Sequence, residues 1–174
     1  DNVSRILAEV ASIDIGDGFA FELGEPQEIM EDSEYGGVRV NVSASIEKTK
    51  TTFKIDISTG DAITPDAIEY DYKLLFEDRS IPLRSYNTET ALAEKLETIL
   101  SLALQTTRMR DFYDIYALTE SSRDIDFALL GDALDATMAV RESTVSLDRS
   151  DEVIGLLEGS DMMEGHWSRY QAAN

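Results

Sequence analysis

A chain of 174 residues with no cysteine and one histidine is long enough for one cored domain with a helical appendage, and it excludes disulfides, thiolate chemistry and histidine-rich zinc sites. Thirty-five acidic against fifteen basic residues set a formal charge of −20, which opposes nucleic acid except where basic groups concentrate. No stretch reaches the roughly 20 apolar residues of a membrane span, and no basic region followed by an apolar run opens the chain, so a cytoplasmic protein is expected.

The charge is uneven. Residues 1–35 carry ten acids and one base, and residues 111–174 carry fourteen acids and four bases, whereas residues 79–110 carry five bases and three acids. The acidic flanks read as solubilising surface or as a docking face for a basic protein partner. Any metal must be held by oxygen ligands, which favours magnesium or manganese.

Taken in chain order, Val3, Ile6, Leu7 and Val10 recur at helical spacing and predict a short amphipathic helix over 2–12. A Gly-Asp-Gly turn at 16–18 breaks it, and Phe19, Phe21 and Leu23 then alternate as in a strand. The acidic run 25–34, closed by Gly36 and Gly37, reads as a loop. Val38, Val40, Val42, Ala44 and Ile46 share one strand face, a turn follows at 48–51, and Phe53, Ile55 and Ile57 alternate with Lys54, Asp56 and Ser58. Asp56 therefore points away from the apolar face of its strand.

Between Gly60 and Arg84 the pattern is mixed, with Pro65 and Pro82 as punctuation, a short helix expected around 67–76, and a brief strand or extended chain at 81–83. Asn87 or Thr88 caps the next helix, whose stripe is Leu92, Leu96, Ile99 and Ala103. A second helix starts near Thr107 and is expected to bury Phe112, Ile115, Tyr116 and Leu118. Helices at 127–138 and 151–157 and a tail with Trp167 and Tyr170 complete the chain. Strands first and helices afterwards predict an α+β fold, with helices on one face of a sheet and a C-terminal helical lobe. The division expected is 1–85 for the α/β part and 86–174 for the helical part.

Three acids and a lysine are candidates for chemistry. Lys95 lies one turn from Ala91 and from Ile99, at the margin of the buried face, where its ammonium either enters a cleft or pairs with Glu94 or Glu97 on its own helix. Asp111 shares a face with Ile115 and Leu118, and Asp114 follows at i+3; such acids need partners, which Lys95, Arg108 or Arg110 can supply, or they simply complement the helix dipole. Asp56 is presented from a rigid strand, as metal carboxylates of phosphoryl-transfer sites are, or is a solvent-facing acid. Two decoys stand apart. Arg123, Asp124, Ile125 and Asp126 imitate an Asp-x-Asp motif but read as a helix cap, and His166 beside Trp167 reads as tail packing.

KIDISTGD at 54–61, ETALAEKLETI at 89–99 and RMRDFYDIY at 108–116, in that order and spacing, resemble the AbiEii/AbiGii toxin family. The likeness covers about residues 19–118, with a looser fit around Trp167. The resemblance implies a polymerase-beta-like nucleotidyltransferase sheet and the toxin role in a type IV toxin–antitoxin pair tied to phage defence. It further implies transfer of a nucleotide from an NTP to RNA, with tRNA as an acceptor, or to protein, supported by Mg2+. On that pattern Asp56 is the third metal carboxylate, Lys95 contacts the triphosphate and Asp111 is the essential acid of the last motif. Arg108 and Arg110 then help to bind phosphate or RNA, Arg110 standing where lysine is more usual.

The family's Gly-Ser and Asp-x-Asp motif, which precedes a helix like that at 3–11, does not occur in this sequence. One carboxylate cannot hold two magnesium ions, so the chain is expected to be inactive unless another chain completes the site. The alternative expectation is a catalytically dead, shortened relative that serves as a protein-binding or regulatory module.

Overall fold

In the computed structural model, which describes residues 2–29, 37–121 and 124–173, the valine alternation after Gly37 becomes the middle strand of an antiparallel sheet. The chain divides into two compact units, Asp1–Asp61 and Ala62–Asn174.

The first unit opens with α1 (Asn2–Ala11) and continues into β1 (Ala20–Leu23), β2 (Gln27–Ile29), β3 (Gly37–Ile46) and β4 (Thr49–Ile57). β3 pairs with β4 along its length, from Val38↔Ile57 to Ile46↔Thr49. Its other edge is shared: β1 pairs with its second half and β2 with its first. Gly24, Glu25 and Pro26 interrupt what would otherwise be one strand, since proline has no N–H for the ladder. β2 replaces the acidic loop expected from residue 25, because pairing to an open strand edge outweighs composition; residues 30–36 of that loop lie outside the described residues.

On β3, Val40, Val42 and Ala44 are buried, as their alternation requires. Gly37 is needed where it stands, because a Cβ there would lie 3.0 Å from Ile29 Cγ1 and 3.2 Å from the carbonyl oxygen of Ile57. The β3–β4 connection is the two-residue turn Glu47–Lys48, not the longer turn expected at 48–51. Two-residue hairpins match the twist of their strands, and here Glu47 takes a positive φ of 50°.

In the second unit β5 (Ile68–Lys73) and β6 (Ser80–Ser85) form an antiparallel hairpin. The short helix expected at 67–76 is thus overturned: Ile68, Tyr70 and Tyr72 are strand formers at alternate positions, and pairing with β6 decides the matter. Five α-helices follow: α2 (Thr88–Leu102), α3 (Met109–Ser121), α4 (Phe127–Val140), α5 (Ser150–Glu158) and α6 (Asp161–Ala173). The fold is α+β with a helical C-terminal part. α2 packs against α4 and α3, and α3 against α6. Ala93, Ala133 and Leu134 form a buried centre with Leu96, Leu130 and Met138 around it. The small side chains of Ala93 and Ala133 let α2 and α4 approach closely. Among the described residues no helix is long and apolar enough to cross a membrane.

Candidate functional site

Helix α2 begins where the side chain of Asn87 accepts the N–H of Thr90 at 2.9 Å. The same residue donates its Nδ2 to the carbonyl of Thr64, and the Thr90 hydroxyl accepts the N–H of Thr64 at 3.1 Å. These bonds fix the start of α2 against the preceding loop, and burial of Leu92 to 1% exposure fixes its rotation. Lys95 then sits at the edge of the packed face, where the helical spacing places it, with its ammonium directed at α3.

Helix α3 supplies the partners. Thr106, fully buried, accepts the N–H of Arg108 on its Oγ1 at 3.2 Å, and the N–H of Asp111 bonds to the carbonyl of Arg108 at 2.9 Å. This turn sets Asp111 in the first turn of α3, only 4% exposed. Lys95 Nζ donates to Asp114 Oδ2 at 2.7 Å and to Asp111 Oδ1 at 3.3 Å. Arg108 Nε approaches Asp111 Oδ2 to 2.7 Å, an ion pair in distance whose N–H is not aligned on the oxygen. Arg110 Nε lies 3.8 Å from Asp114 Oδ2. The carboxylates bonded to Lys95 at these distances come from the neighbouring helix.

The cluster therefore holds three cations against two carboxylates. On a chain of −20 this is a local reversal of sign, set beside the positive end of α3. The guanidinium-bearing side chains of Arg108 and Arg110 are largely exposed, while Asp111 is not. Such an arrangement can receive a polyanion: the arginines are free to swing onto it, and Lys95 can exchange a carboxylate oxygen for a phosphate oxygen without leaving its place.

Asp56 belongs to the first unit, on β4. Its two oxygens accept from Arg39 Nε and Nη2, both at 2.6 Å, across the Arg39↔Asp56 register pair. The bidentate hydrogen bond from Arg39 holds this carboxyl below its ordinary range, and the same pairing raises the guanidinium. A carboxylate engaged on both oxygens by a guanidinium does not fit a metal ion as it stands, and no group of three acidic, histidine or cysteine side chains that could hold one occurs among the described residues. The residues described thus do not by themselves make a magnesium site.

Of the decoys, Asp126 caps α4, accepting the N–H groups of Ala128 and Leu129 at 2.9 and 3.1 Å, and Arg123 lies outside the described residues. His166 stands half-buried on α6. Tyr116, expected in the core, is 63% exposed, and the buried apolar residue of α3 is instead Met109.

A second polar group escaped the sequence reading. Buried Glu97 accepts from Arg141 Nη1 at 2.7 Å and from the hydroxyl of Ser101. The same guanidinium nitrogen reaches Thr98 Oγ1 at 3.0 Å. Burial pushes the Glu97 carboxyl up, but the hydrogen bonds from Ser101, Arg141 and Ser143 and the charge of Arg141 outweigh it and hold the group low. Glu89, also buried, accepts the N–H of Asp126 at 3.1 Å. A signal existed: Glu89, Ala93 and Glu97 recur at i+4, so both glutamates lie on the face that carries the most buried alanine of α2.

None of the curated proteins compared with the chain matches it. A family model described as "Nucleotidyl transferase AbiEii toxin, Type IV TA system" matches residues 1–173. With the three motifs in place and that match running over nearly every residue, the chain belongs to the AbiEii family of nucleotidyltransferase toxins of type IV toxin–antitoxin systems.

Proposed function

We propose that the Lys95 cluster is the triphosphate-binding part of a toxin that transfers a nucleotide from an NTP to RNA, such as tRNA, or to protein. The observation that carries this is Lys95 held between Asp111 and Asp114 of a neighbouring helix, with two exposed arginines beside it. In the free protein the carboxylates keep the ammonium oriented. When the triphosphate arrives, Lys95, Arg108 and Arg110 offset its charge, and buried Asp111 keeps Lys95 aimed. The acceptor hydroxyl oxygen forms a bond to the α-phosphorus, the bond from that phosphorus to the bridging oxygen breaks, pyrophosphate leaves, and the hydroxyl proton passes to solvent or to a nearby base.

Members of nucleotidyltransferase families generally use a divalent ion, which supplies charge neutralisation at the phosphates. The Gly-Ser and Asp-x-Asp motif does not occur as a unit in the 174 residues. The test is Mg2+-dependent transfer of each of four labelled nucleotides to total RNA and to protein by the natural gene product that carries this sequence. Labelling of RNA or protein, lost in Lys95→Ala and in Asp111→Asn, is the expected result. Full labelling in both variants would refute the assignment.

The Arg39–Asp56 pair favours a second reading, in which the fold is kept as a regulatory module that binds a basic protein or the cognate antitoxin. Silence with all four nucleotides would favour it.

A further inference from the structure

On the side of α3 turned away from Lys95 lies an open groove of about 1080 Å³ between α3, the end of α5 and α6. Successive residues of a helix are about 100° apart, so Asp111 and Asp114 face α2 while Met109, Tyr113 and Tyr116 face the opposite way, into this groove. Its floor is aromatic. Trp167 stacks on Tyr170 with ring centroids 5.5 Å apart, and Tyr170 meets Tyr113 at 6.5 Å. Met163 is buried beneath them, and the rim carries Glu158 and Glu164, both exposed. Among the described residues no lysine, arginine or histidine lines the groove.

We infer that this groove is a docking site for a cationic amphipathic segment of a partner protein, lysine or arginine side chains lying over the aromatic faces and against Glu158 and Glu164, apolar ones filling the floor. Charge decides among the occupants. An RNA backbone would meet two carboxylates and no cation, which costs affinity. A second copy would bring its own acidic surface to an acidic rim. A cationic segment gains attraction to both glutamates and cation–π contact with Tyr and Trp. A helix with apolar anchors one turn apart matches an elongated groove between helices.

The chain has one tryptophan, and it is in the groove, so its emission reports occupancy directly. The probe is a tryptophan-free, amphipathic leucine–lysine peptide of about 18 residues, roughly five helical turns, titrated onto the full chain, with a leucine–glutamate peptide of the same pattern beside it. The leucine–lysine peptide is expected to shift Trp167 emission to the blue at saturation, and the leucine–glutamate peptide is not. Glu158→Lys/Glu164→Lys is expected to weaken binding about tenfold, whereas the charge-matched Glu69→Lys/Asp71→Lys on the β5–β6 hairpin leaves it within about twofold. Tyr116→Ala, at an exposed position, is expected to weaken binding as well. Lys95→Met is expected to leave peptide binding unchanged, which separates this site from the triphosphate cluster. No emission shift, equal binding of the two peptides, or equal weakening by the two charge-reversal pairs would overturn the inference. So would a blue shift produced by adenosine or by raising the chain concentration alone.

Discussion

At the scale of single residues, the two ion-paired clusters of the helical unit differ in kind. Lys95 and its aspartates are reached by exposed arginines, whereas Glu97 is buried and is held by the half-buried Arg141 and by Ser101. The first was legible, because Lys95 and Asp111 each fall at the margin of an apolar stripe, where a charged group requires a partner. The second was only half legible: the i+4 run of Glu89, Ala93 and Glu97 marks the acid, but its arginine lies 44 residues away and carries no local sign of the pairing. Removing one partner of such a pair leaves a buried charge alone, so Arg141→Met is expected to cost about 2–4 kcal/mol of stability by chemical denaturation. Glu97 has its folded pKa below its ordinary value of 4.5. Its contribution is therefore complete above that value and is lost as pH falls from there through the lower folded value. Glu97→Gln is expected to flatten the acid limb of the stability curve in that window, and an unchanged limb would count against the pairing.

At the scale of elements, what could be read was what periodicity encodes without help. The β3 alternation, the Asn87 cap, the helices α2 to α5 and the Asp126 cap all stand where local spacing placed them. What failed depended on a partner strand. β2 forms at residues whose composition says loop, and β5 at residues whose spacing suggested a helix, because in both cases an unpaired strand edge offers hydrogen bonds that the local sequence does not announce. The Glu47–Lys48 turn offers a test at this scale. Glu47 at φ 50° sits in the left-handed region at the first central position of a two-residue hairpin, where glycine is at ease. Glu47→Gly is expected to raise stability by about 0.5–1 kcal/mol. Asp126→Ala, which removes the acceptor for two N–H groups at the start of α4, is expected to lower it by about 1 kcal/mol.

For the whole molecule, charge is the dominant fact. A formal −20 on 174 residues makes the chain as a whole repel itself and repel nucleic acid, with the Lys95 cluster among the places where basic groups gather. Raising salt from about 0.01 M to about 0.15 M shortens the screening length from about 30 Å to about 8 Å, so thermal stability is expected to rise. A midpoint that stays flat or falls would mean that attractive pairs, not repulsion, dominate the surface. The same reversal of sign sets an expectation for function: the cluster draws the triphosphate, and any RNA acceptor must be held with help from groups outside the acidic flanks.

The measurement that bears most directly on the central claim is equilibrium binding of labelled NTP to the chain and to its Lys95→Met variant, with folding of both verified by circular dichroism. The cluster assignment predicts that Lys95→Met weakens binding about tenfold or more, as loss of a charge-assisted phosphate contact should. Equal affinity in the two folded proteins would contradict it and move the triphosphate away from α2 and α3.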